Sequence, residues 1–181
     1  MSKPIIFLDM DSVVVNWTDP IINYLDISAD GNNIDELRDR LTEEHSKEID
    51  ILMENYLFWR SLKPFAWSKE LVNKVSEMGD LYFLTKGRPN HSCFGGKIEW
   101  IKQYFPAYQD NLVITSKDKF VCSSSNNFLI DDDERHKLPW EKRGGKFFHW
   151  KEMREENFSE PEFKKRLVAI QLLVDTYKHG I

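Results

Sequence analysis

Apolar residues are gathered along this chain in short blocks separated by polar, helix-patterned stretches. Ile5-Ile6-Phe7-Leu8 is an unbroken apolar run, which reads as a strand buried on both faces of a sheet. Four more strand-like runs follow: "DLYFLT" (80–85), "NLVIT" (111–115), "NFLIDDD" (127–133) and "GKFFHW" (145–150). The segments between them carry the helical period. In "SKELVNKVSEMG" (68–79), Leu71, Val72 and Val75 share one face, Ser68 stands where an N-cap belongs and Gly79 ends the helix. In "GGKIEWIKQYFP" (95–106), Ile98, Ile101 and Phe105 recur at helical spacing until Pro106. The last stretch places Ser159 and Glu162 as a candidate capping box, followed by a stripe of Phe163, Leu167, Ile170 and Val174. It reads as a structural helix packed on the sheet. Strands alternating with helices predict βαβ units and a mostly parallel sheet.

Residues 16–60 break the alternation and contain no good strand. Asp19-Pro20 is a helix-start signal, and "NIDELRDRLTEEHSKEIDILMENY" (33–56) is helical and strongly charged. Two or three helices inserted directly after the first strand read as a small cap over its carboxyl end, able to exclude water and shape a pocket. A solubilising helical insert is the other reading. The aromatic stretch "YLFWRSLKPFAW" (56–67) favours the pocket, because a planar base would find stacking partners there.

With 181 residues, the chain suits one core with a small insertion, and 41% apolar and 30% charged residues predict a globular protein. The net charge of -5 argues against a surface that coats extended nucleic acid. No apolar stretch approaches the ~20 residues of a membrane span. Met1-Ser2-Lys3-Pro4 runs into the first strand without the apolar segment of a secretion signal. Cys93 and Cys122 show no metal-binding spacing and read as free thiols. The expectation is a cytoplasmic protein with no membrane partner.

The chemistry gathers at strand ends. Asp9 and Asp11 follow the first apolar run, Thr85 follows "LYFL", Lys117 and Lys119 follow "LVITS", and Asp131, Asp132 and Asp133 follow "NFLI". Open α/β sheets bind ligands at that edge. Each feature alone has a plain reading. Asp9 and Asp11 are an acidic turn, Thr85 is a cap, the lysines are solvated and the three aspartates form a loop. Together they match phosphoryl transfer. Two acid clusters hold Mg²⁺, while the metal, an amine and a hydroxyl offset the charge of the transferred group. One carboxylate can serve as nucleophile and its neighbour as acid and base.

"DMDSV", Thr85, Lys119 and "LIDDD", in that order, resemble the motifs of haloacid dehalogenase-like phosphatases. "FWRSLKPFAWSKELVNKV" and "TSKDKFV…FLIDDD" resemble segments of the 5′(3′)-deoxyribonucleotidases within that superfamily. The resemblance implies a Rossmann-like parallel five-stranded sheet with helices on both faces and a small helical cap inserted after the first strand. Residues 1–15 and 61–181 would form the core, and 16–60 the cap. It implies Mg²⁺-dependent hydrolysis of deoxyribonucleoside monophosphates through an aspartyl-phosphate. Asp9 would be the nucleophile and Asp11 the general acid/base, with its carbonyl on the metal. Thr85 and Lys119 would bind phosphate, with help from Lys117; Lys86, a departure from the family, and Arg88 would either add phosphate affinity or face solvent. Asp9, Asp11, Asp131 and Asp132 would serve the metal, and Phe58 and Trp59 would line the substrate pocket. Related enzymes are often dimers, so a homodimer is a further expectation. The family usually has Gly where this chain has Ser12, and a small residue where it has Lys86, followed by Gly87-Arg88-Pro89. Two other functions stay open at this stage. One is phosphatase action on another small phosphate ester or a nucleic-acid 3′-phosphate. The other is a phosphate-binding module without catalysis.

Overall fold

The computed structural model describes residues 3–28, 41–151 and 153–179, with side chains through 177. Five strands form one parallel sheet: β1 (Ile5–Leu8), β4 (Asp80–Lys86), β5 (Leu112–Thr115), β6 (Asn127–Asp131) and β7 (Lys146–His149), in the order β5-β4-β1-β6-β7. The apolar run of β1 is central. Ile5 to Leu8 pair with Asp80 to Phe83 on one side and with Asn127 to Ile130 on the other. Its side chains alternate between the faces. Ile6 and Leu8 join the main core, while Phe7 joins a second cluster with Leu84, Leu129, Trp140 and Phe147. Burial on both faces explains the continuous apolar sequence.

Two further strands are only two residues long. β2 (Val15–Asn16) and β3 (Lys63–Pro64) pair antiparallel, Val15 with Pro64 and Asn16 with Lys63. The sequence gives no strand signal there, because so short a pair has no period to read. Between β2 and β3 lie the helices α1 (Thr18–Leu25), α2 (Glu43–Met53) and α3 (Tyr56–Ser61). Of the predicted charged helix, residues 33–40 lie outside the described residues, Glu43–Met53 forms α2, and a break at 54–55 separates it from Tyr56, the first residue of α3. The valines after Asp11 lock this junction. Val13 O accepts from Trp67 Nε1 (3.0 Å), and Val14 O accepts from Ser68 Oγ (2.7 Å). Ser68 is therefore the first residue of α4 (Ser68–Met78), not its cap. Its hydroxyl satisfies a buried carbonyl 54 residues away. Leu71, Val72 and Val75 are buried as expected.

Helix α5 (His91–Tyr104) begins with Asn90 Oδ1 accepting from the Cys93 N–H at 2.7 Å. Its buried residues are Cys93, Gly96, Lys97, Trp100 and Ile101, whereas Ile98 is 40% exposed. This corrects the expected face. The helix packs against α3 as well as the sheet, and glycines allow the approach. A Cβ on Gly96 would stand 2.3 Å from Trp59 Cβ and 3.1 Å from the Tyr56 carbonyl. Gly96→Ala should therefore force α3 and α5 apart. A cost of about 1–3 kcal/mol is expected for such overpacking, seen as a melting temperature lower by about 3–10 °C. An unchanged melting curve would show that the contact is looser than it looks.

A short helix α6 (Lys137–Glu141) precedes β7, and α7 (Glu160–His179) closes the chain. In α7, Phe163, Ile170 and Val174 are buried and Leu167 is partly buried. Tyr177 meets Phe128 of β6 edge-on at 5.3 Å. Glu162 pairs with Arg166 Nε at 3.3 Å. Cys93 and Cys122 are free thiols. Among the described residues, no helix is long and apolar enough to cross a membrane.

Candidate active site

All five sheet strands end on the same edge. Beyond β1 the Asp9 N–H donates to Ile130 O at 2.9 Å, so the sheet ladder still fixes its backbone. The Asp9 side chain is 4% exposed. Lys119 opens a 3₁₀ turn (Lys119–Cys122) after β5 and is 2% exposed. Its Nζ lies 2.6 Å from Asp9 Oδ1 and 2.7 Å from Asp131 Oδ2. Asp131 is the last residue of β6, and its other oxygen accepts the Asp133 N–H at 3.0 Å.

A second buried lysine was not foreseen. Lys97 of α5 is 2% exposed and donates to Asp11 Oδ2 at 2.5 Å and to Thr85 Oγ1 at 2.9 Å. Its ammonium also stands over the Trp59 ring, 4.8 Å from the centroid. A signal for it was present in the sequence. Lys97 lies four residues after Cys93 and four before Ile101, on the apolar side of a helix. Each acid of the Asp9/Asp11 pair thus has its own lysine, and each lysine bridges to a further strand end.

Burial pushes Asp9, Asp11 and Asp131 above the ordinary carboxylate range, against the opposing pull of Lys119 on Asp9 and Asp131 and of Lys97 on Asp11. Burial alone would lower Lys119, but Asp131 and Asp9 outweigh it and hold the amine above its usual range. Burial, then Lys119, depresses His136. Four carboxylates, those of Asp9, Asp11, Asp131 and Asp132, face two ammonium groups. The excess negative charge calls for a cation. Asp9, Asp131 and Asp132 each offer an oxygen, and these atoms lie within 4.8 Å of one another. Opposite oxygens around an octahedral Mg²⁺ stand about 4.2 Å apart, so the cluster has the size and the hard donors that such an ion takes. Asp11 Oδ1 is buried with no hydrogen-bond partner among the described residues, leaving room for a proton or a bound donor.

Above these groups opens a cavity of about 630 Å³. Asp9, Asp11, Lys119 and the 131–133 acids form its floor, and Trp17, Ile21, Ile49, Met53 and Trp59 form walls supplied by the inserted segment. Lys86 and Arg88 stand at its rim with Arg135 and His136. Arg88 Nη2 is 2.6 Å from Asp50 Oδ1 of α2, a salt bridge between two residues that line the cavity. Lys86 Nζ is 3.8 Å from Asp118. Thr85 is fully buried behind Lys97.

Thr85, expected to bind phosphate, thus lies outside the cavity lining, and two further expected site residues fall elsewhere. Lys117 is exposed and does not line the cavity, since only Lys119 is carried inward by the 3₁₀ turn. Phe58 is buried but lines a separate groove with Tyr24, Leu57 and Tyr104. It meets Trp59 edge-on at 5.4 Å. Successive residues on a helix point about 100° apart, so Trp59 faces the cavity and Phe58 cannot. Trp17, Lys97, Asp50, Arg135 and His136 are the site residues that sequence reasoning missed.

The family model described as 5′ nucleotidase, deoxy (pyrimidine), cytosolic type C protein matches residues 3–144. A Staphylococcus aureus protein with the provisional name 5′(3′)-deoxyribonucleotidase is 28% identical over 140 residues, spanning 75% of this chain and 77% of its own. Among solved structures, a haloacid dehalogenase-like family hydrolase from Xanthomonas campestris superposes with a TM-score of 0.61 at 14% identity, covering 99% of this chain and 95% of its own. The haloacid dehalogenase hydrolase YfnB from Bacillus subtilis, bound to magnesium, gives 0.51 at 9% identity over 93% and 100%. These two likenesses speak for the fold, and the family match for the class of enzyme. The chain belongs to the 5′ nucleotidase, deoxy (pyrimidine), cytosolic type C family, and is a 5′-nucleotidase-type phosphatase on a haloacid dehalogenase-like fold.

Proposed function

We propose that the protein hydrolyses deoxyribonucleoside monophosphates in a Mg²⁺-dependent reaction through an aspartyl-phosphate on Asp9. The observation that carries this reading is the pairing of two acids with two buried lysines beneath a cavity walled by Trp17 and Trp59. Residues 1–15 and 61–181 act as the core and 16–60 as a cap, with the Asn16–Lys63 pairing at the junction supporting that division. The family's naming and the provisional name of the staphylococcal relative support a deoxyribonucleotide substrate. The net charge of -5 disfavours extended nucleic acid.

An Asp9 carboxylate oxygen attacks phosphorus, and the bond to the ester oxygen breaks. Asp11 gives its proton to that leaving oxygen, producing the nucleoside. Asp11, now a carboxylate, takes a proton from water as the water attacks phosphorus, and phosphate leaves with Asp9 restored. Lys119 offsets part of the charge of Asp9 and Asp131, which eases the approach of an anionic ester. Lys97 orients Asp11 and Thr85. Asp9, Asp131 and Asp132 would hold the metal, with the Asp11 carbonyl as a further donor. When bound, Mg²⁺ supplies charge stabilisation for the phosphoryl oxygens.

The deciding assay is phosphate release from 5′- and 3′-mononucleotides, deoxy and ribo, with Mg²⁺ and with EDTA. Metal-dependent release from deoxynucleotides is the expected result. Release only from simple phosphate esters would reject the nucleotide substrate. Metal should also stabilise the fold. At one hundred times its Kd, an ion adds about 2.7 kcal/mol, which is about 5–10 °C in melting temperature for a chain of this size. The pH dependence has a definite sign. Acids whose folded pKa is raised bind protons that the unfolded chain has released, so metal-free stability falls as pH rises above the ordinary Asp value of about 3.9. Stabilisation by Mg²⁺ should therefore grow as pH rises from the ordinary Asp range toward neutrality. Stabilisation that stays constant across that whole range would contradict binding to the raised acids.

A further inference from the structure

The turn after β1 holds a residue that its backbone does not favour. The N–H groups of Val13, Val14 and Val15 all donate to Met10 O, at 3.3, 2.9 and 2.8 Å, and the Ser12 N–H donates to Val15 O at 3.0 Å. Ser12 takes φ 58° in this tight winding. That is the left-handed region, strained for a residue with a Cβ and free for glycine. Glycine would serve the turn better. Yet the position holds a serine, 1% exposed, whose Oγ accepts a hydrogen bond from Trp17 Nε1 at 2.9 Å. Trp17 immediately precedes α1 and lines the cavity. The serine hydroxyl therefore ties a wall of the cavity to the residue next to Asp11.

We infer that Ser12 is a positioning residue for the substrate: its hydroxyl fixes the Trp17 indole as a flat wall for a planar ring carried by the phosphate ester at Asp9. This rests on the nucleotide reading proposed above. A partly buried indole N–H needs an acceptor, and the Ser12 hydroxyl supplies one. Once anchored, the ring has one orientation, and a base stacks on it without first having to order it. A phosphate ester lacking a ring gains nothing from the same bond. Trp17 also leads into the helices above the cavity, while Ser12 belongs to the turn that carries Asp11. The bond thus sets the wall relative to the reacting group rather than relative to the inserted helices.

The test is a double-mutant cycle of Ser12→Gly and Trp17→Phe, with KM and kcat measured for a deoxyribonucleoside 5′-monophosphate and for acetyl phosphate. Glycine accepts φ 58° without strain, so the fold survives the loss of the hydroxyl. Ser12→Gly is expected to raise KM for the nucleotide, relative to KM for acetyl phosphate, by about 3–10-fold, the scale of one lost hydrogen bond. In the Trp17→Phe background, which has no N–H to anchor, the same change should have little further effect. An equal effect in both backgrounds, or a fall in kcat for both substrates with the KM ratio unchanged, would show that Ser12 merely shapes the Asp11 turn. Turnover of acetyl phosphate but of no nucleotide by the parent enzyme would instead overturn the substrate reading itself, and this inference with it.

Discussion

Asp9→Asn is expected to lower nucleotide hydrolysis by at least about 10⁴-fold, the scale seen when a catalytic nucleophile is removed, while the protein stays folded. The amide is nearly isosteric with the carboxylate but is a very poor nucleophile toward phosphorus. No neighbouring acid can replace it. Asp11 is held by Lys97 at 2.5 Å, and Asp131 is occupied by Lys119 and by the Asp133 N–H. The folded state tolerates the change because burial is the largest influence on the Asp9 carboxylate and disfavours its charge. Lys119 keeps Asp131 as a partner. The melting temperature in EDTA at neutral pH should thus be equal to or above that of the parent. Mg²⁺ affinity should fall, since one of three clustered oxygen donors loses its charge. Rapid acid quench should trap a phosphorylated Asp9 in the parent and none in the variant. Retention of more than a tenth of the activity would sink the nucleophile assignment and favour direct attack by water.

Lys97→Met is the second change with a large expected effect. It removes the shared partner of Asp11 and Thr85 from a site where Lys97 is almost wholly buried. Breaking a buried ion pair from one side costs about 3–5 kcal/mol. The partial exposure of Asp11 places the expected loss at the lower end of that range. Activity should fall by about 10²–10³-fold, as when one preorganised charged or hydrogen-bonding group is lost from such a site. The pH profile separates a chemical role from a structural one. The Lys97 charge lowers the Asp11 pKa, opposing burial, so its removal raises that pKa further. The kcat/KM profile depends on protonated Asp11 for the first step, so its falling alkaline limb should move to higher pH. If hydrolysis of the phosphoenzyme limits kcat, the rising acid limb, which needs the Asp11 carboxylate, should move the same way. A uniform drop with neither limb displaced would mean that Lys97 only supports the packing of α5.

Much of this arrangement could be read from the chain because it is local. The apolar block at Ile5–Leu8 ends at Asp9, and a strand buried on both faces has few ways to end except at the sheet edge. Asp9, Asp11, Asp131 and Asp132 were legible as strand-end acids for that reason, and Leu71, Val72 and Val75 as a buried helix face. Thr85 was placed correctly at a strand end, although its partner was not foreseen.

What the sequence left open depends on contacts between distant segments. By position alone Lys117 and Lys119 are equivalent, and only the family resemblance singles out Lys119. A 3₁₀ turn between β5 and β6 buries one and leaves the other in water. Phe58 and Trp59 are neighbouring aromatics, but the glycine face of α5 takes Trp59 to the cavity edge and leaves Phe58 on the far side. Ile98 looked like core and is exposed, while Lys97 beside it, given no role from the sequence, is buried. Local sequence alone determined the periodicity, the strand ends and the acids that stand on them. Tertiary structure alone decided which lysines are buried among those acids. A charge can leave water only where partners brought from elsewhere in the chain replace its hydration, and for Lys97 the carboxylate partner, Asp11, lies 86 residues away.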